Sequence, residues 1–171
     1  MNTYTVSFFG HRRIDEHFFV SDALDKLITE LLTAKEYLEI LVGRDGEFDQ
    51  LVASSVRRCK RTIRDHNSSL VLVLPYVTSE YRNNIESFHD YYDEVEIYIE
   101  SEVSHFKAAH QVRNRSMLHR SDFAVFFVKR HSGGAYTTMK YAQSIGIKTL
   151  NLYDECGCED PDCILDFTNY L

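Results

Sequence analysis

The sequence predicts an α/β domain built on a mainly parallel sheet of about five to six strands. Short apolar runs alternate with segments whose apolar residues recur at helical spacing, two of the runs ("SLVLVLPY" and "DFAVFFV") are apolar almost without interruption, and glycines stand just past several run ends. Uninterrupted apolarity marks a strand buried on both faces, as in a sheet covered by helices on each side. Strands joined through helices pair in parallel by right-handed crossovers.

"YTVSFF" (4–9) is a β-favouring run that stops at Gly10. Ser21 is the expected N-cap of a first helix, because Leu24, Leu27, Ile28, Leu31 and Leu32 then follow the spacing of one helix face. "YLEILV" (37–42) is a second strand that ends before Gly43, and Phe48, Leu51, Val52, Val56, Cys59 and Ile63 mark a second helix. The run 69–76 is a third strand, ended by Pro75, and "EVEIYI" (94–99) a fourth. Residues 104–120 are expected to be helical, 122–128 a fifth strand, 134–145 a helix and "KTLNLY" (148–153) a sixth strand, with the first strand central in the sheet. Tyr76, Tyr81, Phe88, Tyr91 and Tyr92 are expected to pack a long loop onto the sheet edge.

A length of 171 residues suits one domain, spanning 1–171, and a hydrophobic fraction of 44% with 13% aromatics supplies its core. The net charge of -7 speaks against general nucleic-acid binding, so an anion site has to be local. No apolar run approaches the roughly 20 residues that span a bilayer, and a soluble, cytoplasmic protein with no membrane partner is expected. A homo-oligomer is left open. Cys156, Cys158 and Cys163, in the acidic segment 154–163, form a CxC-x4-C array that is one ligand short of a structural zinc site. With this much core, reduced thiols are expected there and at Cys59, and neither a metal nor a cofactor is.

In an open parallel sheet, ligands bind outside the carboxyl ends of the strands, where helix amino termini also point. Gly10, His11 and Arg12 follow the first strand, Gly43, Arg44, Asp45 and Gly46 the second, and Ser132, Gly133 and Gly134 the fifth. Glycine-bearing loops with arginines beside two of them, at one edge, suit a phosphate or a nucleotide. Glu47 and Asp49 sit in the first turn of the second helix, where a carboxylate suits the helix dipole and would repel phosphate. The acidic loop is therefore assigned to the sugar or base, and the glycine pair to the phosphate. Arg113 and Arg120, seven residues apart, are expected to share a helix face.

Taken together, "FFGHRR", "GRDGEFD", "RNRSM" followed by "SDFAVFF", and "SGGAYTTMKYA" resemble the SLOG superfamily of Rossmann-like domains, and most closely its bacterial, YpsA-related branch. The resemblance covers residues 4 to 153 and implies a three-layer, Rossmann-like fold that binds a nucleotide-like small molecule. The superfamily also holds the DprA proteins and the LOG phosphoribohydrolases, which cleave the N-glycosidic bond of nucleoside monophosphates. By this resemblance Arg113 matches a catalytic arginine, Gly133 and Gly134 a phosphate-binding glycine pair, and Thr137 a threonine of the same motif. Ser132 stands where that motif has proline, Tyr136 where it has a small residue, and Lys140 where it has the catalytic glutamate. An ammonium cannot act as that carboxylate. The resemblance thus implies nucleotide binding or sensing without an assigned reaction. The alternative is an N-glycoside hydrolase with a rearranged acid, for which Arg113, Glu47 and Asp49 are the candidate catalytic residues.

Overall fold

A computed structural model describes residues 1–63, 66–98, 106–156 and 165–171. The elements run β1 (Thr3–Gly10), α1 (His17–Ala34), β2 (Tyr37–Val42), α2 (Glu47–Thr62), β3 (Ser68–Leu74), α3 (Ser79–Asn83), α4 (Ile85–Tyr91), β4 (Glu94–Ile97), α5 (Phe106–His119), β5 (Phe123–Phe127), α6 (Gly134–Ser144), β6 (Lys148–Asn151) and α7 (Leu152–Cys156). The six strands form one sheet in the order β4-β3-β2-β1-β5-β6, with every neighbouring pair parallel. The α/β, Rossmann-like fold expected from the sequence is the fold found, with β1 inside the sheet.

Alternation along each strand explains why the runs are apolar throughout. Val6, Phe8, Ile40, Leu70, Leu72, Val125 and Phe127 point into one core with α1 and α2, while Phe9, Leu41, Val71, Val73, Ala124 and Phe126 point into a second core with α5 and α6. Residues 70–74 and 123–127 are almost inaccessible, no more than 2% exposed at any position. Both edge strands, β4 and β6, are only four residues long. Short edges limit pairing with other chains.

Several boundaries differ from the expectation. Helix α1 begins at His17, one turn before Ser21, because Val20 is fully buried and the apolar stripe already starts there. Ser21 instead accepts a hydrogen bond from Arg58 of α2. Ile63 lies just past the end of α2 and is 42% exposed, so it does not join that helix's buried face. The sixth strand stops at Asn151 and the chain turns into α7. The aromatic stretch after β3 forms α3 and α4 rather than a long loop, though Phe88 and Tyr92 are buried as expected. Among the described residues, no helix is long and apolar enough to cross a membrane.

Strand β1 lies between β2 and β5, and its chain continues to α1 on one face while β5 continues to α6 on the other. Loops that leave in opposite directions open a crevice at the carboxyl edge between β1 and β5.

Candidate functional site

The loops after β1, β2 and β5 and the first turns of α5 enclose a cavity of about 450 Å³ over that crevice. Gly10, His11 and Arg12 line it from the first loop, Gly43, Asp45, Gly46 and Asp49 from the second, and Arg130, Ser132, Gly133 and Gly134 from the third. His110, Gln111, Arg113 and Asn114 close it from α5.

The loops are held in register by close approaches and by one histidine. A side chain at Gly46 would place its Cβ 2.7 Å from the Arg12 Cα, so only glycine lets the second loop cross the first. The Glu47 amide donates to the Arg12 carbonyl at 2.9 Å and the Glu47 carboxylate accepts from the Ile14 amide at 2.7 Å, which pins the first loop against α2. His11 is 8% exposed, and its Nε2 accepts from the amides of Lys129 and Arg130 at 2.9 and 3.2 Å. Burial, followed by the charge of Arg130, pushes the His11 pKa below its ordinary value, which keeps Nε2 an acceptor.

At the β2 end the charges satisfy one another. The Arg113 guanidinium, on a side chain 5% exposed, donates to the Val73 carbonyl at 2.7 Å, to the Asp45 carboxylate at 2.8 Å and to Asn114 Oδ1 at 2.9 Å. His110 Nδ1 donates to the same Asp45 oxygen at 3.1 Å. Burial opposes ionisation of Asp45, but the His110 hydrogen bond and the Arg113 charge outweigh it and hold the carboxyl well below the usual range. Asp49 is different. Burial and the neighbouring Asp45 charge raise it to about 6 against the pull of Arg113. Asp49 Oδ2 and the Arg113 guanidinium both crowd Gly43, where a Cβ would come within 2.9 Å of the first and 3.1 Å of the second.

At the opposite end, Gly133 adopts φ 91°, a left-handed conformation that glycine tolerates, and caps α6. The first intrahelical bond, from the Thr137 amide to the Gly133 carbonyl, leaves the amides of Gly134, Ala135 and Tyr136 ahead of the hydrogen-bonded ladder. Such amides suit an anion.

Three residues expected in the site face elsewhere. Arg44 donates to Glu80 and to the Tyr92 hydroxyl and lies over the Phe88 ring, in a larger groove of about 780 Å³ between α2 and α4. Glu47 lines that groove too, since its carboxylate is turned to Ile14 and His17. Thr137 returns its hydroxyl to the Gly133 carbonyl, and the buried Thr138 bonds Asn114 instead. Gly10 is needed for packing, because a Cβ there would sit 2.3 Å from the Phe48 ring. Lys140 is exposed and outside the cavity wall. Arg120 pairs with Glu96 while Arg113 turns inward, so the two arginines serve different neighbours despite their helical spacing. His110 and Arg130 were not singled out by the sequence as site residues, and Asp45 entered only with the loop after the second strand. Asp45 was legible only as a member of "GRDG", His110 as one of eight scattered histidines. Cys158 and Cys163 lie outside the described residues, as does the side chain of Cys156.

No family model matches the sequence, and a search of curated proteins finds no match. Solved structures share the fold, DNA processing proteins among them. DNA processing protein A (DprA) from Streptococcus pneumoniae superposes with a TM-score of 0.64 at 15% identity, covering 90% of this chain and 54% of that one. DNA processing protein A from Helicobacter pylori, described for its single-stranded DNA binding mode, gives a TM-score of 0.61 at 13% identity over 85% of this chain and 63% of that one. The chain thus spans between half and two thirds of each neighbour. The second neighbour corrects the expectation of no general nucleic-acid binding: a protein of this fold binds single-stranded DNA. The charge of the whole chain was the wrong quantity, since Arg12, Arg13 and Arg130 gather at one edge whatever the total of -7.

Proposed function

We propose that the cavity at the carboxyl edge binds a nucleotide or nucleotide-derived ligand. The phosphate lies at the start of α6, between its leading amides and the guanidiniums of Arg12 and Arg130. The sugar and base lie toward Asp45 and Asp49, whose carboxylates accept hydroxyl donors. The observation that carries this reading is the convergence of three glycine-bearing loops on one cavity whose wall holds three arginines, two of which, Arg12 and Arg130, have no carboxylate partner among the described residues. The Helicobacter pylori neighbour, with its single-stranded DNA binding mode, gives it support from a protein of the same fold, because a strand is a chain of nucleotides.

Thermal-shift titration with a panel of nucleoside monophosphates tests the reading, since a specific ligand stabilises by mass action. Arg12→Ala and Arg130→Ala are each expected to weaken binding by about 1.5–3 kcal/mol, as for a lost charge-assisted hydrogen bond. Stabilisation by no nucleotide or oligonucleotide, or by nucleotides equally in both variants, overturns it.

Asp49 favours a second reading, hydrolysis of the N-glycosidic bond of that ligand with a rearranged acid. Its carboxyl faces the cavity and titrates near 6, beside an Asp45 held ionised, and two carboxyl groups with separated pKa values suit acid and charge-stabilising roles. Release of free base that is lost in Asp49→Asn would support it. Absence of release from every bound nucleotide would remove it.

A further inference from the structure

The rim of the cavity carries more positive charge than a single phosphate requires. Strands β1 and β5 pair as far as Gly10 and Phe127, and His11 then fastens the following loops to each other through the amides of Lys129 and Arg130. This sets "HRR" (11–13) beside "KRH" (129–131). Lys129 is matched by Glu16 at 2.7 Å. Arg12, Arg13 and Arg130 are exposed, and among the described residues none of them forms an ion pair with a carboxylate. Asp15, two residues past Arg13, pairs with none of the three. The nearby cations deeper in the fold are already neutralised, Arg113 by Asp45 and Arg44 by Glu80.

Three unmatched guanidiniums on adjacent loops repel one another, and a bound anion relieves that repulsion. A terminal phosphate carries about -1.5 to -2 at neutral pH, which two guanidiniums match. The third is left for a further anionic group.

Resting on the nucleotide reading above, we propose that the natural ligand carries at least two phosphate groups in succession. One is held, as above, at the leading amides of α6 between Arg130 and Arg12, and the next by Arg13. A nucleoside diphosphate and a short single strand both carry successive phosphates, joined directly in the first and through a sugar in the second. Arg13, outside the cavity wall, is the residue that separates such a ligand from a monophosphate.

Isothermal titration with a nucleoside monophosphate, the diphosphate of the same base and a short single-stranded oligonucleotide, at one ionic strength, tests the proposal. The diphosphate is expected to bind at least about tenfold more tightly than the monophosphate, and Arg13→Gln to narrow that ratio to less than about threefold. The oligonucleotide arm identifies the source: affinity above that of the diphosphate assigns the site to a strand, affinity below it to a free nucleotide, and either supports two phosphates if Arg13→Gln weakens the tighter ligand. Equal binding of monophosphate and diphosphate, or an Arg13→Gln variant that leaves the ratio unchanged, overturns the proposal while leaving the nucleotide reading in place. Binding of none of the three overturns both.

Discussion

The two ends of the cavity handle charge in opposite ways. At the β2 end, Arg113 and His110 both bond Asp45 and Arg113 also bonds a strand carbonyl, so removing Asp45 takes a partner from each of the other two. At the β1 and β5 end, Arg12 and Arg130 reach solvent, form no ion pair with a carboxylate among the described residues, and are held in place through their backbones. Charge bonded within the fold serves stability, and charge left unmatched is available to a ligand. A resemblance in sequence does not separate the two, since it points to Arg113 as readily as to Arg12.

The largest expected effect belongs to the first end. Arg113→Ala should destabilise the fold by about 2–3 kcal/mol, because it uncovers the buried Val73 carbonyl and takes from the Asp45 carboxylate one of its two side-chain donors among the described residues. Urea unfolding measures this, and a loss below about 1 kcal/mol would place Arg113 with the ligand-facing cations instead. Gly10→Ala should cost about 1–3 kcal/mol through overpacking against the buried Phe48, with nucleotide affinity little changed if glycine is there for packing alone.

The pH dependence separates His11 from Asp49. Because the folded pKa of His11 lies below 6.5, the unfolded chain takes up this proton first, and the contribution of His11 to stability falls as pH drops through 6.5 toward the folded value. Asp49 acts with the opposite sign: its folded pKa of about 6 lies above 3.8, so the folded state takes the proton first and gains stability as pH falls between those values. Unfolding curves across this range should show His11→Gln with a shallower loss just below 6.5 and Asp49→Asn with raised stability at neutral pH. A variant of either residue that leaves the profile unaltered contradicts its assigned environment. Smallest of all, Arg130→Ala should change stability by no more than about 0.5 kcal/mol, as for an exposed side chain without a partner.

The sheet was legible because strands buried on both faces leave a signal that survives translation along the chain: "LVLVL" stays apolar wherever its ends are drawn. The loops that line the cavity were legible as loops, since strand ends and glycines fix which loops share an edge. Side-chain direction was not. In "GRDGEFD", Asp45 and Asp49 turn into the cavity while Arg44 and Glu47 turn into the neighbouring groove, a division set by contacts with Arg113, Glu80 and Ile14 from distant parts of the chain. The same holds for Thr137 and Thr138, where one residue along a helix is a rotation of about 100°. Ser21 misled because a good capping residue is only a local preference, and burial of Val20 moved the helix start past it.

The central claim is that a nucleotide occupies the edge between β1 and β5, and its most direct test is the affinity of one nucleoside diphosphate for the native protein, Arg130→Ala and Arg44→Ala. Arg130 and Arg44 are both cations on loops at the same sheet edge, but only Arg130 lines the cavity assigned to the ligand. Arg130→Ala is expected to weaken binding by about tenfold or more and Arg44→Ala to leave it within about twofold. The reverse order, with Arg44→Ala the damaging change, would move the ligand to the groove between α2 and α4 and contradict the account.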